Sequence, residues 1–146
     1  MGVDYYAMTA IGLKVPRGRI IAEEEELRNQ CYCKPKVNPD DYPDATFCPY
    51  CGRFIRKAIK VDKPLFDGFE DYYNEDQKIC GYLVERDTDA RNFFICLYTS
   101  GHTEGKCTKI PDLSEEIITK FKADMESVGL WDKEQFGLWT ILYCSY

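Results

Sequence analysis

Eight cysteines stand in this chain of 146 residues, and four of them form two tight pairs, Cys31-Tyr32-Cys33 and Cys48-Pro49-Tyr50-Cys51. No other feature restricts the fold so strongly. Two close thiol pairs joined by a turn-rich loop are what a tetrahedral Zn²⁺ site needs, because the ion accepts soft thiolates and closes its shell with four of them. Pro49 presets the entry to the second turn, and Gly52 permits the open backbone that aims amide N–H groups at sulfur. The intervening residues 34–47 hold Pro35, Pro39, Pro43, Asn38 and three aspartates, a composition that cannot pack a core alone. The expectation is a structural Zn²⁺ on Cys31, Cys33, Cys48 and Cys51, inside a module inserted at about residues 30–54. The first pair is one residue shorter than the usual Cys-x-x-Cys knuckle. A disulfide pair, unligated thiols or an iron centre would use the same cysteines, and the lack of a redox-partner motif favours zinc. Four thiolates leave no open position, which argues against a catalytic metal.

The compartment follows from the same thiols. Residues 1–6, Met-Gly-Val-Asp-Tyr-Tyr, show no basic segment of the kind that opens a secretory signal, and Tyr6 stands where myristoylation wants Ser or Thr. No stretch approaches the ~18 apolar residues needed to span a bilayer. The reading is an intracellular protein of a reducing compartment, not secreted, with thiols free or on metal. The net charge of −6 argues against a general polyanion binder. Eleven Tyr and eight Phe suggest rings placed at core edges or in an interface.

Along the chain, residues 3–14 read as a strand, Pro16-Arg17-Gly18 as a turn and residues 19–22 as the start of a return strand. The acidic run 23–26 reads as a solvated strand end or a first helical turn. Residues 54–61 leave the cysteine module as a basic strand or short helix, and 67–78 read as an acidic, aromatic surface loop. Residues 79–85 and 93–99 form the clearest strands, a hairpin joined by 86–92. A helix is predicted over about 112–128, with Asp112 as cap and Glu115 completing a capping box. Its core stripe is Leu113, Ile117, Phe121, Met125 and Val128, and Gly129 is its left-handed stop. Residues 136–146 close the chain as a strand. The order predicts a single α+β domain over 1–146, with a mainly antiparallel sheet, a packed helix and the inserted module.

The remaining chemistry is sparse. Lys34, Lys36, Arg53, Arg56, Lys57 and Lys60 surround the module in sequence. The preferred reading is charge compensation for a centre carrying about −2 and for Asp40, Asp41 and Asp44. The alternative is phosphate contact by Arg53, Arg56, Lys57 and Lys60, which would make the protein a nucleic-acid accessory factor. Phe66, Phe69, Tyr72 and Tyr73 form the candidate surface for a protein partner, with folding back onto the sheet as the competing reading. Cys80, Cys96 and Cys144 lie in apolar runs and read as small hydrophobes. His102, Glu104 and Cys107 could be drawn as a base, its orienter and a nucleophile, but a loop histidine is usually just solvated, so no catalytic residue is assigned.

The segment Cys48-Pro49-Tyr50-Cys51-Gly52-Arg53 resembles the second knuckle of zinc ribbons and rubredoxin-like modules. That resemblance covers residues 31–53 and implies a fold element; ribbon modules serve transcription factors, enzymes and structural proteins alike. The opening Met1-Gly2-Val3-Asp4-Tyr5-Tyr6 is similar to the starts of small uncharacterised proteins of large DNA viruses, which implies host cytoplasm or a virion as the setting. The functional expectation is a non-enzymatic, zinc-stabilised structural or protein-interaction protein, such as a viral accessory or virion component.

Overall fold

The computed structural model describes residues 2, 4–67, 69, 77–101 and 109–145. In chain order these form β1 (Asp4–Pro16), β2 (Ile21–Arg28), β3 (Lys57–Pro64), β4 (Lys78–Ile79), β5 (Tyr82–Arg86), β6 (Asn92–Thr99), the helix α1 (Glu115–Ser127) and β7 (Phe136–Ser145). The architecture is α+β, as the segment pattern predicts. The chain divides into two compact units, Met1–Ile21 with Pro64–Tyr146, and Ala22–Lys63.

The first unit is built on a five-stranded sheet in the order β4-β5-β6-β1-β7, and its neighbouring strands run antiparallel. Side chains alternate across β1 and β6, so the sheet buries apolar residues on both faces. Leu13, Val15, Phe93 and Ile95 meet Val84, Ile79, Phe121 and Met125 on the helix side. Met8, Ala10, Phe94 and Cys96 meet Ile141 and Trp139 on the other. That double burial explains why β6 reads as an unbroken apolar run. The β1–β6 register slips between Ile11 and Gly12. Gly12 comes so close to β6 that a Cβ there would lie 2.1 Å from the Ile95 carbonyl oxygen, and Gly137 stands opposite it on β7.

Two strand expectations are corrected. The return strand after Pro16 does not pair with β1, whose two edges are taken by β6 and β7; β2 pairs with β3 in a separate two-stranded sheet. The run 79–85 is also not one strand. Cys80 and Gly81 adopt φ of 52° and 82°, the paired positive values of a tight hairpin turn, and split the run into β4 and β5. Cys80 is therefore an exposed turn residue and not an in-strand hydrophobe. Cys96 is the buried hydrophobe expected, and burial, with the Glu85 charge, pushes its thiol up to about 12.

The helix starts later than predicted. Ser114, not Asp112, is the cap: its backbone is extended and its hydroxyl accepts the Ile117 N–H at 3.3 Å. Phe121 and Met125 are fully buried, but Ile117 is exposed, so the buried stripe is shorter than the sequence spacing suggests. The C-terminus ends as predicted at Gly129, with φ of 73°. Leu130 N–H bonds the Met125 carbonyl at 2.9 Å and Gly129 N–H bonds that of Glu126 at 3.1 Å, a Schellman motif whose flanking apolar residues join the core. The Tyr82 ring meets Phe121 edge-on, and its hydroxyl donates to Asp124 Oδ2 at 2.6 Å. Lys120 bonds the same oxygen at 2.8 Å; these two contacts, Lys120 first, hold the Asp124 carboxyl below its usual range.

Candidate metal centre

In the second unit β2 and β3 make a largely exposed ribbon, which accounts for the acidic run 23–26 as solvated strand. Lys60 faces Glu23 at 3.6 Å and Lys63 faces Glu24 at 3.0 Å. Between these strands the chain makes two knuckles. In the second, Gly52 takes φ of 70°, its N–H bonds the Cys48 carbonyl at 2.9 Å, and the Cys48 N–H bonds the Arg53 carbonyl at 2.7 Å. A single bridge between Phe47 and Phe54 closes this turn, with the two rings 4.5 Å apart.

These turns bring Cys31, Cys33, Cys48 and Cys51 together, with all four sulfurs within 4.8 Å of one another. Individual Sγ–Sγ separations are 3.5 Å for Cys31–Cys48, 3.6 Å for Cys31–Cys51 and 3.8 Å for Cys33–Cys48. A disulfide would need about 2.05 Å. A tetrahedron with Zn–S bonds of about 2.3 Å has S–S edges of about 3.8 Å. The donor set and its spacing therefore fit a tetrahedral thiolate-bound ion.

The backbone already favours negative sulfur. Cys33 N–H points at the Cys31 sulfur at 3.3 Å. The Val37 N–H, then that of Cys33, draws the Cys31 thiol down against the effect of burial. Burial works to raise Cys51, but N–H groups of Arg53 and Tyr32 outweigh it with help from Cys48 and Cys31, and its thiol falls to about 6. Cys33 is pushed up to about 12, chiefly by its hydrogen bond with Cys31 and then by burial. Four thiols this close cannot all ionise unaided; a divalent cation displaces their protons and removes the conflict.

Two side chains brace the loop that carries this cluster. Asn29 accepts the Cys31 N–H at 2.9 Å through Oδ1 and donates to the Val37 carbonyl at 2.8 Å through Nδ2. Arg56 donates to the carbonyls of Tyr42 at 2.7 Å, Ala45 at 2.8 Å and Pro39. Asn29 was not singled out from sequence, although an Asn two residues before a turn cysteine is the pattern of an Asx turn. Of the four cations read as phosphate contacts, Arg56 directs three of its five donors to the module's own loop. Lys60 is engaged by Glu23. Arg53 lies over the Tyr32 ring at 5.6 Å and Lys57 over Phe54 at 5.5 Å, and neither has a carboxylate partner among the described residues.

The candidate partner surface fares differently. Phe69 is 1% exposed, edge-on to Phe93 at 5.5 Å, and belongs to the core; Phe66 packs partly against the same core. An apolar ring that can reach the sheet gains more there than in water, which is why Phe69 turns inward. Tyr72, Tyr73, His102, Glu104 and Cys107 lie outside the described residues. The exposed aromatics of the second unit are Tyr32, Phe47 and Tyr50, none of which the sequence reading singled out as a contact. Among the described residues no helix is long and apolar enough to cross a membrane. No family model, curated protein or solved structure matches this chain.

Proposed function

We propose that Cys31, Cys33, Cys48 and Cys51 hold one structural Zn²⁺, and that the protein is non-enzymatic and works through protein contacts made by the metal-held unit. One observation carries this reading: four sulfurs spaced as the edges of a ZnS₄ tetrahedron, with backbone N–H groups already turned toward them. The three exposed aromatics, Tyr32, Phe47 and Tyr50, are the kind of rings that anchor interfaces. Seven described cysteines with free thiols support a reducing compartment. The viral accessory or virion setting rests on the opening hexapeptide alone.

Elemental analysis of the purified protein should find one zinc per chain, falling to near zero in Cys48→Ser. Metal content well below one per chain in the intact protein would overturn the proposal, and iron in place of zinc would show as visible colour. A second reading is favoured by Arg53 and Lys57, exposed cations that each cover an aromatic ring and have no carboxylate partner among the described residues. Single-stranded DNA and RNA titrated from low salt upward separate the two. Absence of binding at low salt removes the nucleic-acid reading.

A further inference from the structure

The helix-free face of the five-stranded sheet loses its apolar cover at one end. There Lys14 and Pro16 of β1, Asn92 of β6, Arg19 of the 3-10 turn at Arg17–Arg19, and Asp132 and Gln135 before β7 line a groove of about 350 Å³. Alternation explains its chemistry. Lys14 shares its face with Met8 and Ala10 but lies beyond the patch they bury, and its ammonium sits 5.1 Å over the Trp139 ring. Gly137, next along that face from Trp139, leaves open space where a side chain would stand.

Two cations of this groove stand without a carboxylate among the described residues, as Lys78 and Lys133 of the same unit do, but here they share one concave space. Arg91, Lys120 and Lys122 of the same unit each face a carboxylate. Lys14 and Arg19 have no carboxylate partner among the described residues; Arg19 gives one donor to the Gly129 carbonyl and keeps the rest. Asp132, the one acid of the lining, turns an oxygen to the Glu134 N–H at 3.0 Å. Asn92 is held by its amide nitrogen on Asp87 Oδ2 at 2.9 Å. The result is two cations, one carboxylate and two amides around a water-accessible space, a locally positive balance in a chain whose net charge is −6.

We propose that this groove binds a phosphate group, free or as a small monoester, between Lys14 and Arg19. A guanidinium fork and an ammonium suit tetrahedral oxyanions, and the amides of Asn92 and Gln135 add uncharged partners. The site is independent of the cysteine cluster.

Isothermal titration of the full-length, metal-loaded protein with inorganic phosphate and with glycerol 3-phosphate, at constant ionic strength, tests this. One saturable site is expected, weakened roughly tenfold by Lys14→Gln and by Arg19→Gln. Tighter binding of the ester would identify an esterified phosphate as the ligand, and tighter inorganic phosphate a free one. Arg19→Gln also removes a contact to the end of α1, so Asp132→Asn supplies the decisive sign. It keeps an oxygen for the Glu134 N–H and removes the opposing charge, so it should tighten binding severalfold. Lys133→Gln, outside the lining, should change nothing. No saturable binding of either probe, or equal affinity across Lys14→Gln, Asp132→Asn and the parent, overturns the proposal.

Discussion

The two units of this protein reach order by opposite means. The sheet-and-helix unit buries apolar residues on both faces of a five-stranded sheet and places Phe121 and Met125 of the helix at full burial. The unit of Ala22–Lys63 buries Ile55 together with Cys31 and Cys48 and has little else of that kind. What the second lacks in apolar area it replaces with a cluster of thiols and a guanidinium that gathers three loop carbonyls. A segment this short cannot close the gap between chain entropy and hydrophobic gain by packing alone. The difference implies separate vulnerabilities: one unit should answer to cavities, the other to chelators.

The largest effect should come from removing metal. Structural zinc sites carry apparent binding free energies of about 10–16 kcal/mol. Chelation should therefore release amide protection throughout 29–56 while β1, β6 and β7 stay protected in hydrogen-exchange mass spectrometry. Concerted loss in both units would break the contrast. Phe121→Ala is its mirror image, expected to cost about 3–5 kcal/mol in the sheet unit by denaturant titration while metal stoichiometry is kept. Arg56→Ala should destabilise the cysteine unit by about 1–3 kcal/mol, because three carbonyls lose their donor. Its readout is faster metal loss to a competing chelator, with the melting of the sheet unit unchanged.

Smaller still, Ser114→Ala should cost about 1 kcal/mol and Asp112→Ala almost nothing, a pair of melting curves that decides which residue caps the helix. The smallest concerns acid. Asp124 is held below its usual range by Lys120 and Tyr82, so its contribution is present above the unfolded carboxylate range and is lost as pH falls through the folded value. The gap in melting temperature between Asp124→Asn and the parent should shrink on acidification. A gap that widens instead would remove the ion pair from the account.

Legibility in sequence followed whether a residue's neighbours were local. The Gly129 stop, the strand at β7 and the hairpin of β5 with β6 rest on nearby signals, and the structure has them. The clustering of the four cysteines was equally legible, since spacing and turn residues carry it. Phe69 was not, because whether a ring folds inward depends on Phe93 across the chain. Arg56 read as a basic surface residue for the same reason, since its three acceptors lie eleven to seventeen positions back. The split at Cys80-Gly81 was hidden by apolar neighbours on both sides, and a non-glycine at positive φ leaves little trace in composition. The helix start was misplaced because Asp112 and Ser114 are both good caps, and only the backbone geometry chooses between them.

The position of β1, between β6 and β7, also sets a timetable. β1 leaves the ribosome early, yet its neighbour β7 is made only after everything else described here, so the middle of the sheet waits with an open edge during synthesis. The knuckles, by contrast, draw all four thiols from one short stretch, complete as soon as residues 31–51 emerge. Long-range pairing of this kind folds slowly. A cation bound by those thiols would therefore lock this unit well before the sheet exists.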